Sequence, residues 1–108
     1  MKRALFICSQ NRLRSPTAEQ VFADWPGVET ASAGTNNDAE TPLDADLVAW
    51  ADLIFVMERP HRNKLQKKFR KALRGRVICL DIPDDYGFMD EALVRLLKAK
   101  VVPHLPHA

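Results

Sequence analysis

Four short apolar runs alternate with helical patterns along this chain, and that alternation is the feature that most restricts its fold. The runs are ALFIC (4–8), ETASA (29–33), DLIFVM (52–57) and RVICLD (76–81). Three of them are almost continuously apolar, which is typical of parallel strands that helices cover on both faces. The β-α-β-α-β-α-β-α order predicts a three-layer α/β fold, an open sheet of four parallel strands with right-handed crossovers.

Local signals indicate where each helix begins. Ser15 is predicted to cap the first helix, with Pro16 at its first position and Pro26–Gly27 beyond its end. The starts of the other three helices are predicted from a capping-box variant at Thr41–Asp44, from Pro60 and from Asp90.

Length and composition suit one soluble domain. Hydrophobic residues make up 46% of the 108 residues and charged residues 28%, which is ordinary for a globular protein. No apolar run approaches the ~20 residues that a membrane span needs. The amino terminus, MKRALFICSQ, has too short an apolar stretch for a secretory signal. We therefore expect a single domain over residues 1–108, located in the cytoplasm, with no membrane partner.

The chain has two cysteines, Cys8 and Cys79, which are too few for a disulfide scaffold. No Cys/His spacing indicates zinc, so neither a metal nor a cofactor is expected. In a reducing cytoplasm a thiol is buried or catalytic more often than it is paired.

Cys8 and Arg14 stand in a Cys-x5-Arg spacing directly after the first predicted strand. Ligands of open α/β sheets bind beyond the carboxyl ends of the strands, which is where this loop is expected. Such a loop can turn its backbone amides inward as an anion-binding nest, and the following helix adds a partial positive charge. The intervening residues, expected to surround the anion, are Ser9, Gln10, Asn11, Arg12 and Leu13.

Arg14 and Ser15 suit a thiolate that faces a tetrahedral oxyanion. The planar guanidinium of Arg14 can hold two phosphate oxygens, and the Ser15 hydroxyl can donate a hydrogen bond to Cys8. Amides, helix dipole and guanidinium together favour the thiolate. A thiolate in a phosphate cradle predicts phosphoryl transfer through phosphocysteine, catalysed by positioning and preorganised charge. The alternative is a core cysteine at a strand end with a surface arginine.

The leaving group of a phosphomonoester needs a proton, and the stretch LDIPDDYGF after the fourth predicted strand offers carboxyl groups for it. Asp81 is expected to end the strand, which leaves Asp84 and Asp85 as candidates. The alternative is a solvated acidic turn. Tyr86 and Phe88 beside the acids form either an aromatic wall for an aryl substrate or ordinary core packing.

These residues resemble the low-molecular-weight protein tyrosine phosphatases, whose loop reads Cys-x-Gly-Asn-x-Cys-Arg-Ser-Pro. The matching residues are Cys8, Asn11, Arg14, Ser15 and Pro16. The stretch 82–87 is similar to the family's late acidic motif, and 32–35 and 55–57 are also family-like. The resemblance spans most of the chain.

The resemblance implies the phosphotyrosine protein phosphatase I-like fold and a role for each matched residue. Cys8 would be the nucleophile, Arg14 would bind phosphate, and Asn11 and Ser15 would organise the loop and thiolate. Asp84 would act first as general acid and then as base for the hydrolytic water. The implied ligands are a phosphorylated substrate, phosphotyrosyl or a small aryl phosphate, and inorganic phosphate or sulfate in the loop. No metal is implied.

The chain departs from the family pattern at several positions. Gln10 replaces the loop glycine, Leu13 replaces the second loop cysteine, and Arg12 brings a guanidinium to a usually apolar position. Asp85 replaces the proline after the acid. The chain is also short between its second and third predicted strands, which makes it a shortened, divergent member and removes part of the usual substrate wall.

Nine Lys and Arg residues and no acids lie between positions 59 and 76. Apolar residues recur every four positions there, which predicts a helix with a solvated basic face. Its positive field can steer an anionic partner. The other functions considered are an oxyanion-binding module without turnover, an arsenate reductase, which needs further cysteines, and an RNA-binding protein. Nucleic acid is not the expected partner.

Overall fold

The four apolar runs form four parallel strands of one sheet in the computed structural model, which describes residues 1–106. The strands are β1 (Lys2–Cys8), β2 (Val28–Gly34), β3 (Leu53–Val56) and β4 (Arg76–Cys79). The helices are α1 (Arg14–Phe22), α2 (Ala45–Trp50), α3 (Arg59–Phe69) and α4 (Glu91–Val101), and a 3-10 turn follows at Val102–His104. The predicted α/β fold class is confirmed.

The strand order is β2-β1-β3-β4, so the chain leaves β1 for one side of the sheet and later returns to its other side. The register aligns the carboxyl ends, with Cys8 opposite Gly34 and Ile7 opposite Val56. Connections that leave in opposite directions open a crevice at the carboxyl ends of the two central strands. The loops that follow β1 and β3 border that crevice.

Alternate side chains of β1 enter two separate cores, one on each face of the sheet. Phe6 and Cys8 belong to the core beneath α1 and α4, where Phe6 stacks on Phe22 and Phe55 at centroid distances of 5.8 and 5.2 Å. Leu5 and Ile7 belong to the opposite core, beneath α2 and α3. Burial on both faces holds β1 rigidly, and with it the residue that ends the strand.

The helix starts differ in detail from the predictions. The prediction that Ser15 caps α1 is wrong, because the helix begins at Arg14 and Ser15 lies inside its first turn with its hydroxyl bonded elsewhere. Pro16 is tolerated there because the first amides of a helix have no intrahelical acceptor. Asp90 caps α4 as predicted, accepting from the amide of Ala92 at 2.8 Å.

The other two helices start at carboxylates. Asp44 caps α2 by accepting from the Leu47 amide at 2.8 Å, so α2 begins after the predicted Thr41–Asp44 box. Glu58 caps α3, and Pro60 occupies an early position of that helix. Within residues 1–106, no helix has the length and apolar character that crossing a membrane requires.

Candidate active site

The loop that follows β1 is held from outside by the segment after β2. The carbonyl oxygens of Cys8, Ser9 and Gln10 accept hydrogen bonds of 2.9 to 3.0 Å from backbone amides of Thr35, Asn36 and Glu40. Because the C=O and N–H of a planar peptide point in opposite directions, the amides that follow these carbonyls face away from that segment. The inward side of the loop is therefore lined with backbone donors, as an anion-binding nest requires.

Two residues allow this loop conformation. Asn11 has a φ of 57°, in the left-handed region that asparagine tolerates better than most residues. Gly34 lies so close to the loop that a Cβ there would stand 2.5 Å from the Ser9 carbonyl oxygen. Gln10 does not have a positive φ, so this loop does not need the glycine that the family carries at that position.

A chain of hydrogen bonds ends on the sulfur of Cys8, which is buried at 3% exposure. The Asn11 Nδ2 donates to Ser15 Oγ at 2.9 Å, and Ser15 Oγ lies 2.8 Å from Cys8 Sγ. A hydroxyl that has accepted from an amide keeps its single hydrogen for another acceptor. The Ser15 hydroxyl can thus donate its hydrogen to the sulfur of Cys8.

Arg14 is buried at 3% exposure and is held by groups from two distant segments. Its Nη1 donates to Glu58 Oε1 at 2.6 Å and to the carbonyl oxygen of Ile82 at 2.7 Å. The other edge, formed by Nε and Nη2, makes no hydrogen bond within residues 1–106, and Nε lies 3.6 Å from Asp84 Oδ1. A forked donor is therefore available on the side of the cavity that Arg14 lines.

The acidic segment reaches Arg14 although β4 is separated from β1 by β3. It does so by continuing across the end of β3, where the amides of Leu80 and Ile82 donate to the carbonyls of Val56 and Met57. This path buries Ile82 completely and brings Asp84, 66% exposed, to the cavity mouth.

The other candidates of that segment lie apart from the cavity. Asp85 is exposed and does not line it. Asp81 follows β4 with a φ of 54°, and its Oδ1 accepts from Cys79 Sγ at 3.4 Å. Tyr86 is half-buried against the core that contains Phe6, and Phe88 is 51% exposed.

A cavity of about 120 Å³ lies inside the loop. Its lining residues are Cys8, Ser9, Gln10, Arg12, Leu13, Arg14 and Asp84. Liquid water occupies about 30 Å³ per molecule, so the space suits a phosphoryl group rather than a whole substrate. Asn11 and Ser15 are buried behind the lining, where they act on Cys8. Arg12 lies at the rim, and its Nε is 3.7 Å from Glu40 Oε1.

Larger concave surfaces flank the site without containing Cys8. One of about 730 Å³ runs between α3 and residues 35–38, and three lysines line it, Lys64, Lys67 and Lys68. Within residues 1–106, no three His, Cys, Asp or Glu side chains come together in a group that could hold a metal ion.

Glu58 and His61 each contact a residue that lines the cavity, Arg14 and Ser9 respectively, and the motifs did not reveal Glu58. The backbone amide of Glu58 donates to His61 Nδ1 at 3.1 Å, and His61 Nε2 lies 2.8 Å from Ser9 Oγ. Burial, assisted by the charge of Arg14, lowers the pKa of His61 to about 4, so the ring is neutral at neutral pH. The Glu-x-x-His spacing directly after β3 is the signal that points to them, because the carboxyl end of β3 borders the crevice.

Solved structures, but not sequence comparisons, identify proteins similar to this chain. No protein-family model matches it, and none of the curated proteins does. The YwlE arginine phosphatase from Geobacillus stearothermophilus is 21% identical, with a TM-score of 0.74 over 100% of both chains. Wzb from Vibrio vulnificus, in complex with benzylphosphonate, is 26% identical, with a TM-score of 0.76 over 95% of this chain and 96% of the other.

A third structure carries the name of the family that the sequence resembles. The low-molecular-weight protein tyrosine phosphatase from T. tengcongensis is 21% identical, with a TM-score of 0.75 over 97% of this chain and 100% of the other. These three alignments cover 95% or more of the chain. The chain therefore has the fold of the low-molecular-weight protein tyrosine phosphatases.

Proposed function

We propose that this chain is a cysteine-dependent phosphomonoester hydrolase that works through a phosphocysteine intermediate. The observation that carries the proposal is the position of Cys8. Its sulfur faces a hydroxyl at 2.8 Å, in a phosphoryl-sized cavity that Arg14 and Asp84 also line. Similar structures named as phosphatases, and one that binds benzylphosphonate, support it.

In the first step the Cys8 thiolate attacks phosphorus. The S–P bond forms as the P–O bond to the leaving group breaks, and Asp84 gives its proton to the departing oxygen. The free edge of Arg14 and the loop amides bind the equatorial oxygens and stabilise the charge that develops there.

In the second step water hydrolyses the phosphocysteine. The Asp84 carboxylate takes a proton from the water, the new P–O bond forms, and the S–P bond breaks to release phosphate. Ser15 then stabilises the sulfur as it leaves with its electron pair. The cycle consumes one water and requires no redox partner.

The substrate class that fits is a phosphomonoester with an exposed leaving group, since the cavity holds little beyond the phosphoryl group. A phosphotyrosyl side chain or a small aryl phosphate meets this requirement. The similar proteins include a tyrosine phosphatase and an arginine phosphatase, so two peptides should be compared. A phosphotyrosine peptide belongs to the proposed class, whereas a phosphoarginine peptide, whose P–N bond makes it a phosphoramidate, lies outside that class.

The test is hydrolysis of an aryl phosphate by the wild type and by Cys8→Ser, Asp84→Asn and Asp85→Asn. We expect no turnover with Cys8→Ser and a loss of about 10²- to 10⁴-fold with Asp84→Asn, the usual contribution of a general acid. Asp85→Asn is the matched control and should stay within a few-fold of the wild type. Undiminished turnover in Cys8→Ser would exclude the proposed nucleophile.

An oxyanion-binding module without turnover is the second candidate. The short connection between β2 and β3 favours it, because a shortened chain loses part of the usual substrate wall but keeps the loop that would hold an anion. Phosphate binding by a wild-type chain that hydrolyses no phosphomonoester would identify this case.

Arsenate reductase chemistry is not supported, because it would need a second thiol close to Cys8. The only other cysteine, Cys79, ends β4, two strand spacings or about 10 Å away. Two cysteines whose Cα atoms are separated by more than about 7 Å do not bridge without backbone movement.

A further inference from the structure

We propose that His61 is a positioning residue, whose ring fixes the hydroxyl of Ser9 as a hydrogen-bond donor to the oxyanion held in the Cys8 cavity. The role in catalysis rests on the proposed function, whereas the role in anion binding does not. His61 would touch neither the substrate nor the reacting atoms, and it would act only through Ser9.

The hydrogen bonds of His61 determine which ring nitrogen carries the proton. The backbone amide of Glu58 donates to Nδ1 at 3.1 Å, so that nitrogen must present a lone pair. A neutral imidazole then carries its hydrogen on Nε2. Since Nε2 lies 2.8 Å from Ser9 Oγ, the ring donates and the hydroxyl accepts.

This direction of donation decides what Ser9 can do. Its oxygen receives the hydrogen of His61, and its own single hydrogen remains for another acceptor. Ser9 lines the cavity beside Cys8 and Arg14, so an anion bound there is the acceptor within reach. Ser15 is arranged in the same way, because it accepts from Asn11 and lies 2.8 Å from Cys8 Sγ.

The ring is fixed more firmly than an ordinary surface histidine. It is 3% exposed and sits in the first turn of α3, where Glu58 and His61 form a reciprocal capping box. The Glu58 carboxylate of that box also accepts from Arg14 at 2.6 Å. The start of α3 thus holds two groups that would face the same phosphate. Glu58 holds the guanidinium of Arg14 directly, and the ring of His61 holds the hydroxyl of Ser9.

The experiment compares His61→Leu, His61→Gln, Ser9→Ala and the double variant His61→Leu/Ser9→Ala. Glutamine can accept from the Glu58 amide with its oxygen and donate to Ser9 with its nitrogen, whereas leucine can do neither. We expect His61→Leu and Ser9→Ala each to weaken inorganic phosphate binding by about 10- to 150-fold, the range for a hydrogen bond to a charged group. His61→Gln should recover most of that loss, and the double variant should lose no more than Ser9→Ala.

Calorimetry measures the affinity for inorganic phosphate, and a separate assay measures kcat/KM with an aryl phosphate. Because the first measurement does not depend on catalysis, binding remains testable if the wild type shows no turnover. Wild-type affinity in Ser9→Ala, or losses that add in the double variant, would overturn the proposal. ¹⁵N NMR of the wild-type ring provides a test that needs no variant to fold. A proton on Nε2 supports the proposal, and a proton on Nδ1 would overturn it.

Discussion

At the scale of single residues, the site depends on close approaches that leave no space for other side chains. Gly34 is the clearest case, because a Cβ at this position would stand 2.5 Å from both the Ser9 carbonyl oxygen and the Ala39 Cβ. The Ser9 oxygen is backbone and already accepts from Asn36, so it can yield only if the whole loop shifts. The glycine is thus a requirement of the loop that follows β1, although it lies on the neighbouring strand.

We predict that Gly34→Ala destabilises the chain by about 1–3 kcal/mol, the usual cost of overpacking, and also weakens phosphate binding. Gly87→Ala is the matched control, because no atom lies within 4 Å of the Cβ it would add. Urea unfolding and phosphate calorimetry on both variants check this. Equal effects of the two substitutions would show that contact with Ser9 is unimportant.

A second prediction at the scale of single residues concerns the pH dependence of stability, and it follows from the buried ring of His61. Its folded pKa of about 4 lies below the ordinary value of 6.5, so between these values the unfolded chain binds more protons than the folded chain. The contribution of His61 to the free energy of unfolding should therefore be fully present above pH 6.5. It should decrease as the pH falls toward 4, which lowers the free energy of unfolding by up to ~3 kcal/mol.

The measurement is urea unfolding of the wild type and His61→Gln at pH 7 and pH 4.5. Carboxylates also titrate in the acid range, so the informative quantity is the difference between the two proteins. His61→Gln should lose less stability on acidification than the wild type. An identical loss in both would mean that the ring is protonated without cost.

At the scale of elements, the start of α3 connects the secondary structure to the site. Glu58 is the N-cap residue of the helix, in a capping box with His61, and its carboxylate also binds the buried cation of Arg14. Because Glu58 is 40% exposed, water weakens this ion pair, and its contribution is below that of a fully buried one. The main effect of this ion pair is to fix the orientation of the Arg14 guanidinium.

We predict that Glu58→Ala lowers stability by about 1–2 kcal/mol, since the cap and one partner of Arg14 are lost together. Phosphate should bind about tenfold more weakly, because Arg14 is no longer held in place. Glu40→Ala, which removes the exposed partner of Arg12, is the control and should change stability by less than about 0.5 kcal/mol. Thermal unfolding and phosphate binding measure both, and a Glu58→Ala variant indistinguishable from Glu40→Ala would contradict the assignment.

At the scale of the whole molecule, charge is distributed unevenly although the net charge is only +2. The basic surface of α3 lies along the large concave region beside the candidate site, with Lys64 reaching Asn36 at 3.4 Å. Asp38 is the acid among the residues that line this region. Such a field raises the local concentration of anions and their rate of association.

We predict that reversing Lys64, Lys67 and Lys68 to Glu lowers kcat/KM for an acidic phosphopeptide on the order of tenfold at low ionic strength. The difference should disappear toward 1 M salt, where the Debye length is about 3 Å. The control is the reversal of Lys2, Arg95 and Lys98 to Glu. It changes the net charge by the same amount as the α3 variant, but on surfaces away from α3. A loss that ignores salt, or that both triple variants share, would argue against steering by α3.

The sequence by itself determined the fold class and half of the site. Apolar runs and capping residues are local signals, and they suffice to identify four strands, four helices and a Cys8–Ser15 loop at a strand end. The hydrogen bond between Cys8 and Ser15 joins residues that are only seven positions apart, so a motif can encode it.

Only the tertiary structure decided which distant groups complete the site. Arg14 meets Glu58 and Ile82, which are 44 and 68 positions away, and Ser9 meets His61 across 52 positions. The order of the strands and the path of residues 80–84 over the end of β3 create these contacts. Both arise from burying two apolar faces of one sheet at once, and no local pattern of residues records how that burial is achieved.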